Sequence, residues 1–494
     1  MARKAVGTLF IVALILAAVI RFPLIPTTPL QHDEAVYAEI ITELMRSPLQ
    51  FFPHYLGSPA AWKPPAAFYA YAAVKAPLSA AFPGLPLEYA FRVPPALFAG
   101  LSVIVLFFLL RELLDERQAL FASLIFAASN LVLATTNQVL LDSALLFFML
   151  FALFAYVKSL KSKCWCWLAC AALFSALAAL TKTYVAFLIP VAAIALYYYY
   201  DKRRLRGPAF IASLFAVPAA MLFYAIAFAA FVPNGLREIA MSYVYDSFGR
   251  MSGSLAVDMV RNSATLFQYM FPWGLLSAAG AAFLAIRKKE DKLIAFWAGV
   301  SLIPVASGMN YYWYLLPAVP PLSALAARAL SRLGWRNAAL LAAVLAAFSL
   351  AAYPALSAPS HVQYEEREAG LALAGIPSAL SLTANGVPTA FFYKFAGDPN
   401  PNYGGVRQMV AYPHGPASYS AFSSLADLAF GSYEPNGLAN PSPSYVSSLV
   451  SASNADAVLM DRGIYLKYAE QPAQGYSLAF ESSNGTFFII SRNQ

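Results

Sequence analysis

The sequence predicts a mainly α-helical polytopic membrane protein. It would have about eleven transmembrane helices, a helical first outer loop and a small C-terminal α/β extracytoplasmic domain. Three observations predict this. Hydrophobic residues make up 60% of the 494 positions and charged residues 12%, where a soluble domain carries about 25% charged. Many apolar runs reach the roughly 20 residues that span a hydrocarbon core. Residues 357–494 then change character, becoming rich in Ser, Pro, Asn and Gly.

The spans are read near residues 5–22, 89–110, 119–136, 138–157, 165–181, 183–200, 208–232, 264–286, 292–308, 311–329 and 337–356. The first run, Ala5 to Phe22, exceeds a signal-peptide core and lacks a small-residue cleavage site, so it reads as a retained helix. Every second connection is basic: Arg3/Lys4, Arg111/Arg117, Lys158/Lys161/Lys163, Lys202/Arg203/Arg204/Arg206, Arg287/Lys288/Lys289/Lys292 and Arg328/Arg332/Arg336. The positive-inside rule puts these in the cytoplasm. The N-terminus is then cytoplasmic, and an odd span count puts the tail outside. The net charge of +8 is accounted for by topology, which argues against a nucleic-acid partner.

Two domains follow, residues 1–356 in the membrane and 357–494 outside. Two outer loops are too long to be turns, 23–88 and 233–263. The first reads as two short helices, "DEAVYAEIITELM" from Asp33 and "PPAAFYAYAAV" from Pro64–Pro65, with proline in a first turn where its missing N–H costs nothing. In the tail, "ALSLTANG", "TAFFYKFAG" and "ADAVLMDRG" read as short β runs, and "YEEREAGLALAG" reads as a helix. The end, "YSLAFESSNGTFFIISR", reads as a hairpin about Asn-Gly. The sequon Asn484-Gly485-Thr486 is explained by that turn or by glycosylation. Cys164, Cys166 and Cys170 have no zinc-like spacing and no disulfide framework, and they read as small apolar residues of one span.

Ionisable residues at membrane depth are costly and are candidates for function. On the outer side these are Asp33, Glu34, Glu39, Glu43, Lys63, Lys75, Arg92, Asp142 and Lys182. Each of the sharper candidates has a plainer alternative. Asp33 would cap a helix and Glu34 would complement its dipole. Arg92 and Lys182 would snorkel to the interface. Asp142 lies one turn into span four, where Asn137 already serves as a cap. Lys63 precedes a helix N-terminus, where a cation opposes the dipole, so it calls for an anionic partner. The cluster "MNYYWYLLPAVPPLSAL" fits an interfacial aromatic belt, with one tyrosine hydroxyl left to reach an anionic headgroup.

Together these pieces resemble the GT-C class of membrane glycosyltransferases, in the lipid-A aminoarabinose transferase and protein O-mannosyltransferase branch. "HDEAVYAEI" resembles the acidic first-loop motif, "WKPPAAFYAYA" the Lys-Pro-Pro element, "LLDSALLFF" the aspartate at the outer start of span four, and "YYWYLLPAVPPLSALAA" the Tyr-x-Leu-Pro stretch of a late span. The resemblance covers residues 1–330; the tail shares only position and α/β character. It implies a polyprenyl (dolichyl or undecaprenyl) phosphate sugar donor and a hydroxyl acceptor on a protein, lipid or glycan, with inversion at the sugar carbon. It implies Asp33 as the base and Glu34 as its assistant, with Lys63 holding the donor phosphate near Asp142 and Tyr314. Arg92 and Lys182 join that set on charge and position alone. His32 reads as a loop residue, or else as a group tuning Asp33 or binding an accessory metal; no convincing metal ligand set or other cofactor is expected. Two other classes compete. A secondary transporter predicts two similar halves, and the sequence shows no internal repeat. A non-catalytic scaffold predicts dispensable acids. An oligosaccharyl-type transferase would need a Trp-Trp-Asp-type motif in the tail, which has none.

Overall fold

The computed structural model describes the chain except residues 1–11, 14, 61–62, 163, 237–238, 240–254, 283–287, 304–310, 357–360, 375, 377–378, 384–387, 397–405, 411–445, 448–449, 452, 454 and 494. Arg3, Lys4, Lys163 and Arg287 of the basic alternation, and much of the outer loop expected at 233–263, lie outside the described residues.

The chain divides into two units that do not follow one cut in the sequence. The first comprises Met1–Pro26, Phe51–Pro53 and Ala61–Ala358; the second comprises Thr27–Gln50, His54–Ala60 and Pro359–Gln494.

The first unit is helical. Its elements are α1 (Ile15–Leu24), α3 (Ala66–Ala81), α4 (Leu87–Leu113), α5 (Glu116–Ala128), α6 (Asn130–Thr136), α7 (Asp142–Ser162), α8 (Trp165–Ala179), α9 (Leu188–Tyr200), α10 (Pro208–Leu214), α11 (Ala216–Phe231), α12 (Leu255–Met270), α13 (Trp273–Ala282), α14 (Lys289–Ser301), the 3-10 turn Tyr312–Ala318, α15 (Val319–Leu330) and α16 (Trp335–Leu356). Helix α7 packs on α4 and α8, and α15 packs on α5 and α13. A small residue sets one of these seams. A Cβ on Gly280 would lie 1.8 Å from the Leu325 carbonyl oxygen, so α13 and α15 touch backbone to backbone, as small residues allow in membrane bundles.

Among the described residues three helices are long and apolar enough to cross a membrane: Leu87–Leu113, Asp142–Ser162 and Trp335–Pro354. Counting each of two bent pairs as one span makes five. The expected span 119–136 is one such pair, bent by 55° between α5 and α6. Ser129 is extended there (φ −69°, ψ 129°), which frees backbone groups inside the bundle. The Ser349 hydroxyl takes up one of them, donating to the Ala128 carbonyl at 2.7 Å, as a broken membrane helix requires. One cysteine expectation is corrected too. Cys164 and Cys166 form a disulfide with Cα atoms 5.3 Å apart, leaving Cys170 as a free thiol. The extended backbone of Cys164 ahead of α8 brings the pair within bridging distance.

Several of the basic connections are tied to neighbouring connections or helix ends. Glu112 pairs with Lys158 at 3.3 Å and Lys161 at 2.8 Å. Arg204 donates to the carbonyls of Ser159 and Leu160, Arg328 pairs with Asp291 at 2.6 Å, and Arg117 donates to the Leu333 carbonyl.

The second unit is α/β. Strands β3 (Ala379–Thr383), β4 (Val406–Val410), β5 (Ala457–Asp461), β6 (Tyr476–Glu481) and β7 (Phe487–Arg492) form a sheet ordered β4-β3-β5-β7-β6. Pairing is parallel from β4 through β5 and antiparallel from β5 through β6. Strand β5 is buried on both faces: Val458 and Met460 enter one core, Ala457 and Leu459 the other. The hairpin β6–β7 turns through Gly485 at φ +67°, a left-handed position suited to glycine. The segment "TAFFYKFAG", expected as a strand, is instead helix α18 (Pro388–Phe395), which packs near α17 (His361–Ala372). Proline opens it, and Lys394 in its last turn donates to the carbonyls of Leu373 and Ile376 at 2.9 and 2.5 Å. The remaining helix, α19 (Arg462–Glu470), is capped by the Asp461 carboxylate.

Two pieces of the first loop belong to this unit. Helix α2 (His32–Arg46) packs on α18, and the short hairpin β1 (His54–Tyr55) and β2 (Ser58–Pro59) packs on α2. Leu56, at the tip of that hairpin, rests on the core built by Ala457, Leu459, Phe487 and Ile489.

Candidate active site

Helix α2 begins through a capping box. The Gln31 side chain receives the Glu34 backbone N–H, and the Glu34 carboxylate receives the Gln31 N–H at 2.9 Å. Two orphan donors of the helix start are thereby satisfied. Glu34 is 0% exposed, so part of its acceptor capacity is committed to the backbone. Asp33, one residue earlier, is half-buried. Among the described residues no hydrogen bond or ion pair engages its carboxylate. Further along α2, Glu39 and Glu43 are also buried. Burial pushes the Glu43 carboxyl above its ordinary range, opposed by the Gly57 N–H at 3.0 Å. Within the same unit the Leu30 N–H donates to the Tyr393 hydroxyl at 3.2 Å, which ties the approach to α2 to the C-terminal helix α18.

In the first unit three of the sequence candidates meet. Asp142 is the first residue of α7, not one turn inside it, so its charge lies at the favourable end of that helix. Lys182, in the turn after α8, donates to both Asp142 oxygens at 2.8 and 3.0 Å. Its ammonium also lies 3.9 Å from the centre of the Tyr314 ring. All three side chains are buried, at 4%, 5% and 2% exposed. An isolated ion at such burial would be strongly penalised. Here the aspartate and the ring face together compensate the cation.

Lys63 is buried and its neighbourhood is tied to the same cluster. Three residues on, the Ala66 N–H donates to the Leu180 carbonyl at 2.8 Å. Then Tyr71 of α3 donates to the Leu140 carbonyl at 2.7 Å and accepts the Ala144 N–H at 3.3 Å. The Lys-Pro-Pro element is therefore fastened to both turns that present Lys182 and Asp142. Arg92 stands apart from this group. Its guanidinium donates to the Pro26 carbonyl at 2.9 Å, joining α4 to the exit of α1. Asp33 and Glu34 lie on α2, in the other unit. Among the described residues no group of three or more His, Cys, Asp or Glu is placed to hold a metal ion.

Sequence reasoning passed over Tyr71 and Arg21. Tyr71 stood among aromatics that a membrane interface explains. Arg21 falls inside the first span read from the sequence. Its signal was a cation in an apolar run, since the helix end is still followed by "FPLIP".

The family model for dolichyl-phosphate-mannose-protein mannosyltransferase matches residues 63–236, from the Lys-Pro-Pro element through α11. Over 99% of this chain and 98% of its own, ArnT from Cupriavidus metallidurans bound to undecaprenyl phosphate shares the fold, with a TM-score of 0.70 and 16% identity. The archaeal oligosaccharyltransferase AglB from Archaeoglobus fulgidus, in complex with an inhibitory peptide and a dolichol-phosphate, matches at TM-score 0.55 and 15% identity over 98% of this chain and 74% of its own. The arabinofuranosyltransferase AftD from Mycobacteria matches at 0.53 and 16%, over 99% and 42%. A search of curated proteins found no match. The chain thus has the fold of the GT-C class glycosyltransferases and resembles the branch that contains ArnT and the protein mannosyltransferases. Its apolar helices and this likeness fit a membrane location.

Proposed function

We propose that the protein is a GT-C class glycosyltransferase that moves a sugar from a polyprenyl phosphate donor to a hydroxyl of a protein, lipid or glycan acceptor at the outer membrane face. In this reading the N-terminus is cytoplasmic, about eleven helices cross the membrane, and the C-terminal domain lies outside. The observation that carries the reading is the convergence of Asp142, Lys182 and Tyr314, with the Lys63 segment fastened to the same turns. Lys63, Asp142 and Tyr314 come from the motifs that pointed to a lipid-phosphate sugar donor, and Lys182 joins them on charge and position.

The chemistry follows from the residues. Asp33, whose carboxylate has no backbone donor among the described residues, takes the proton of the acceptor hydroxyl. The acceptor oxygen bonds to the sugar carbon as the bond from that carbon to the phosphate oxygen breaks. The electron pair stays on the lipid phosphate, which leaves as an anion, and one displacement inverts the sugar carbon. Lys63 faces the departing phosphate, aided by Lys182 and the Tyr314 hydroxyl, and these stabilise the charge that develops there. Asp142 orients Lys182. Glu34 fixes the start of α2 and so the position of Asp33, while Arg92 braces α4 against Pro26.

The test is a transfer assay in membranes with radiolabelled polyprenyl-phosphate sugars, on wild type and Asp33→Asn. Transfer by wild type and its loss in the variant is expected. Unchanged transfer in the variant removes Asp33 as the base, and no donor turnover by wild type removes the transferase reading.

A further inference from the structure

Arg21, at the end of α1, is 0% exposed. Its Nη1 donates to the Thr136 hydroxyl at 2.9 Å, and that hydroxyl in turn donates to the Val132 carbonyl at 2.7 Å. The other two nitrogens, Nε and Nη2, have no acceptor among the described residues. No carboxylate among those residues pairs with the guanidinium either. An enclosed guanidinium with one neutral partner is a large unpaid electrostatic cost. The charge calls for an anion, which a neutral hydroxyl cannot replace.

The surroundings are polar and built from several helices. Tyr353 of α16 is close enough to act on Arg21 electrostatically. Its hydroxyl accepts from the Asn137 amide at 3.2 Å, and the same amide reaches the Leu24 carbonyl. The Asn137 side-chain oxygen is buried without a donor among the described residues. This group adjoins the Asp142–Lys182–Tyr314 cluster along two paths. One is the segment from Asn137 to Asp142. The other is the Tyr312–Ala318 turn, where Tyr312 donates to Gln138 at 2.9 Å while Tyr314 stacks on Lys182.

Nε and Nη2 form the side-on fork of a guanidinium, the edge that meets two oxygens of one phosphate in parallel hydrogen bonds. We propose that this edge of Arg21 takes two oxygens of the donor's phosphoryl group and adds a positive charge with no carboxylate partner among the described residues to that of Lys182, which Asp142 partly offsets. The identity of the lipid rests on the transferase reading; the anion site itself rests on Arg21. Arg21 is fully enclosed, so an anion reaches the fork only when a neighbouring side chain turns aside.

Binding to the full-length protein in lipid nanodiscs tests this without turnover, with undecaprenyl phosphate and inorganic phosphate as probes. Undecaprenyl phosphate is expected to bind wild type. Arg21→Gln is expected to weaken that binding roughly 100-fold, and Arg21→Lys, which keeps the charge but loses the fork, about tenfold. Inorganic phosphate competing with the lipid on wild type, and not on Arg21→Gln, shows that the phosphoryl group alone is read. Failure to compete, with the lipid still dependent on Arg21, shows that the chain is needed as well; both outcomes support the site. Should Arg21→Gln not fold, Asn137→Asp decides. An internal carboxylate beside the cluster is expected to raise the unfolding temperature and cut undecaprenyl phosphate affinity at least about tenfold. Affinity unchanged in a folded Arg21→Gln, or in Asn137→Asp, overturns the proposal, as does wild type that binds neither probe. Arg21-dependent binding without any sugar transfer sinks the transferase reading and leaves the anion site standing. Transfer by wild type with affinity indifferent to Arg21 does the reverse.

Discussion

Helices α2 and α7 both open with an acid in the first turn, where the peptide dipoles favour negative charge. Their acids meet different fates. On α7, Asp142 is locked to Lys182 through both oxygens and the pair is closed off under Tyr314. On α2, the capping work falls to Glu34, and among the described residues no hydrogen bond or ion pair engages the Asp33 carboxylate. An acid at a helix start becomes structural when a neighbour claims it. It stays available for chemistry when the residue beside it takes the capping role.

The largest effects are expected on α7. Asp142→Asn or Lys182→Met alone strands a buried charge or an unmatched partner and costs about 3–5 kcal/mol, while the double variant recovers most of it. Thermal unfolding in detergent reads this. Single variants no less stable than the double would show that the pair is not coupled. On α2 the contrast is between rate and stability. Asp33→Asn is expected to lower transfer at least about 100-fold at an unchanged unfolding temperature. Glu34→Ala is expected to cost about 0.5–2 kcal/mol of stability. A stability loss from Asp33→Asn would erase the distinction drawn between the two acids. At Tyr314, Phe keeps the ring under Lys182 and is expected to leave stability unchanged. Leu removes the ring and about 0.5–2 kcal/mol with it.

The smallest effect lies in the C-terminal domain and depends on pH. Burial raises the Glu365 carboxyl, but hydrogen bonds from Ser482, Asn484 and Thr486 outweigh it and hold the group below its usual 4.5. A lowered pKa stabilises the fold above the unfolded value, and that stabilisation is lost as pH falls through the folded one. Melting of the full chain below about pH 4.5 should therefore be less steeply acid-sensitive in Glu365→Gln. An identical acid limb would mean that these bonds do not favour the ionised form.

Much of this was legible because it follows local rules. Pro64–Pro65 announces α3, and the Asn-Gly turn announces the last hairpin. The acids, Lys63 and Tyr314 were found as charges and aromatics out of place in an apolar chain. What was hidden depends on distant partners. The break at Ser129 needs Ser349, more than two hundred residues away. Helix α18 carries aromatics that suit a strand equally well, and its fate is set by Pro388 and by the carbonyls Lys394 finds on the far side of α17. Three hydrogen-bonded residues 482–486 and Glu365 show that the sequon is also part of the packing of its own domain, with the Asn484 amide donating at 3.0 Å.

The second unit is assembled from separated stretches of sequence: α2 is made well before its partner α18, with most of the first unit between them. At ribosomal rates of roughly 5–20 residues per second, α2 waits on the order of tens of seconds for that partner. During this interval Ala38, Ile40, Ile41 and Leu44, which the finished protein buries, have no C-terminal domain to cover them. A chain interrupted anywhere before Pro359 would carry the acidic motif on a helix without its support. Synthesis through α18 is thus a condition for a finished Asp33, and a stop ahead of Pro388 should cost transfer as completely as a stop ahead of α3.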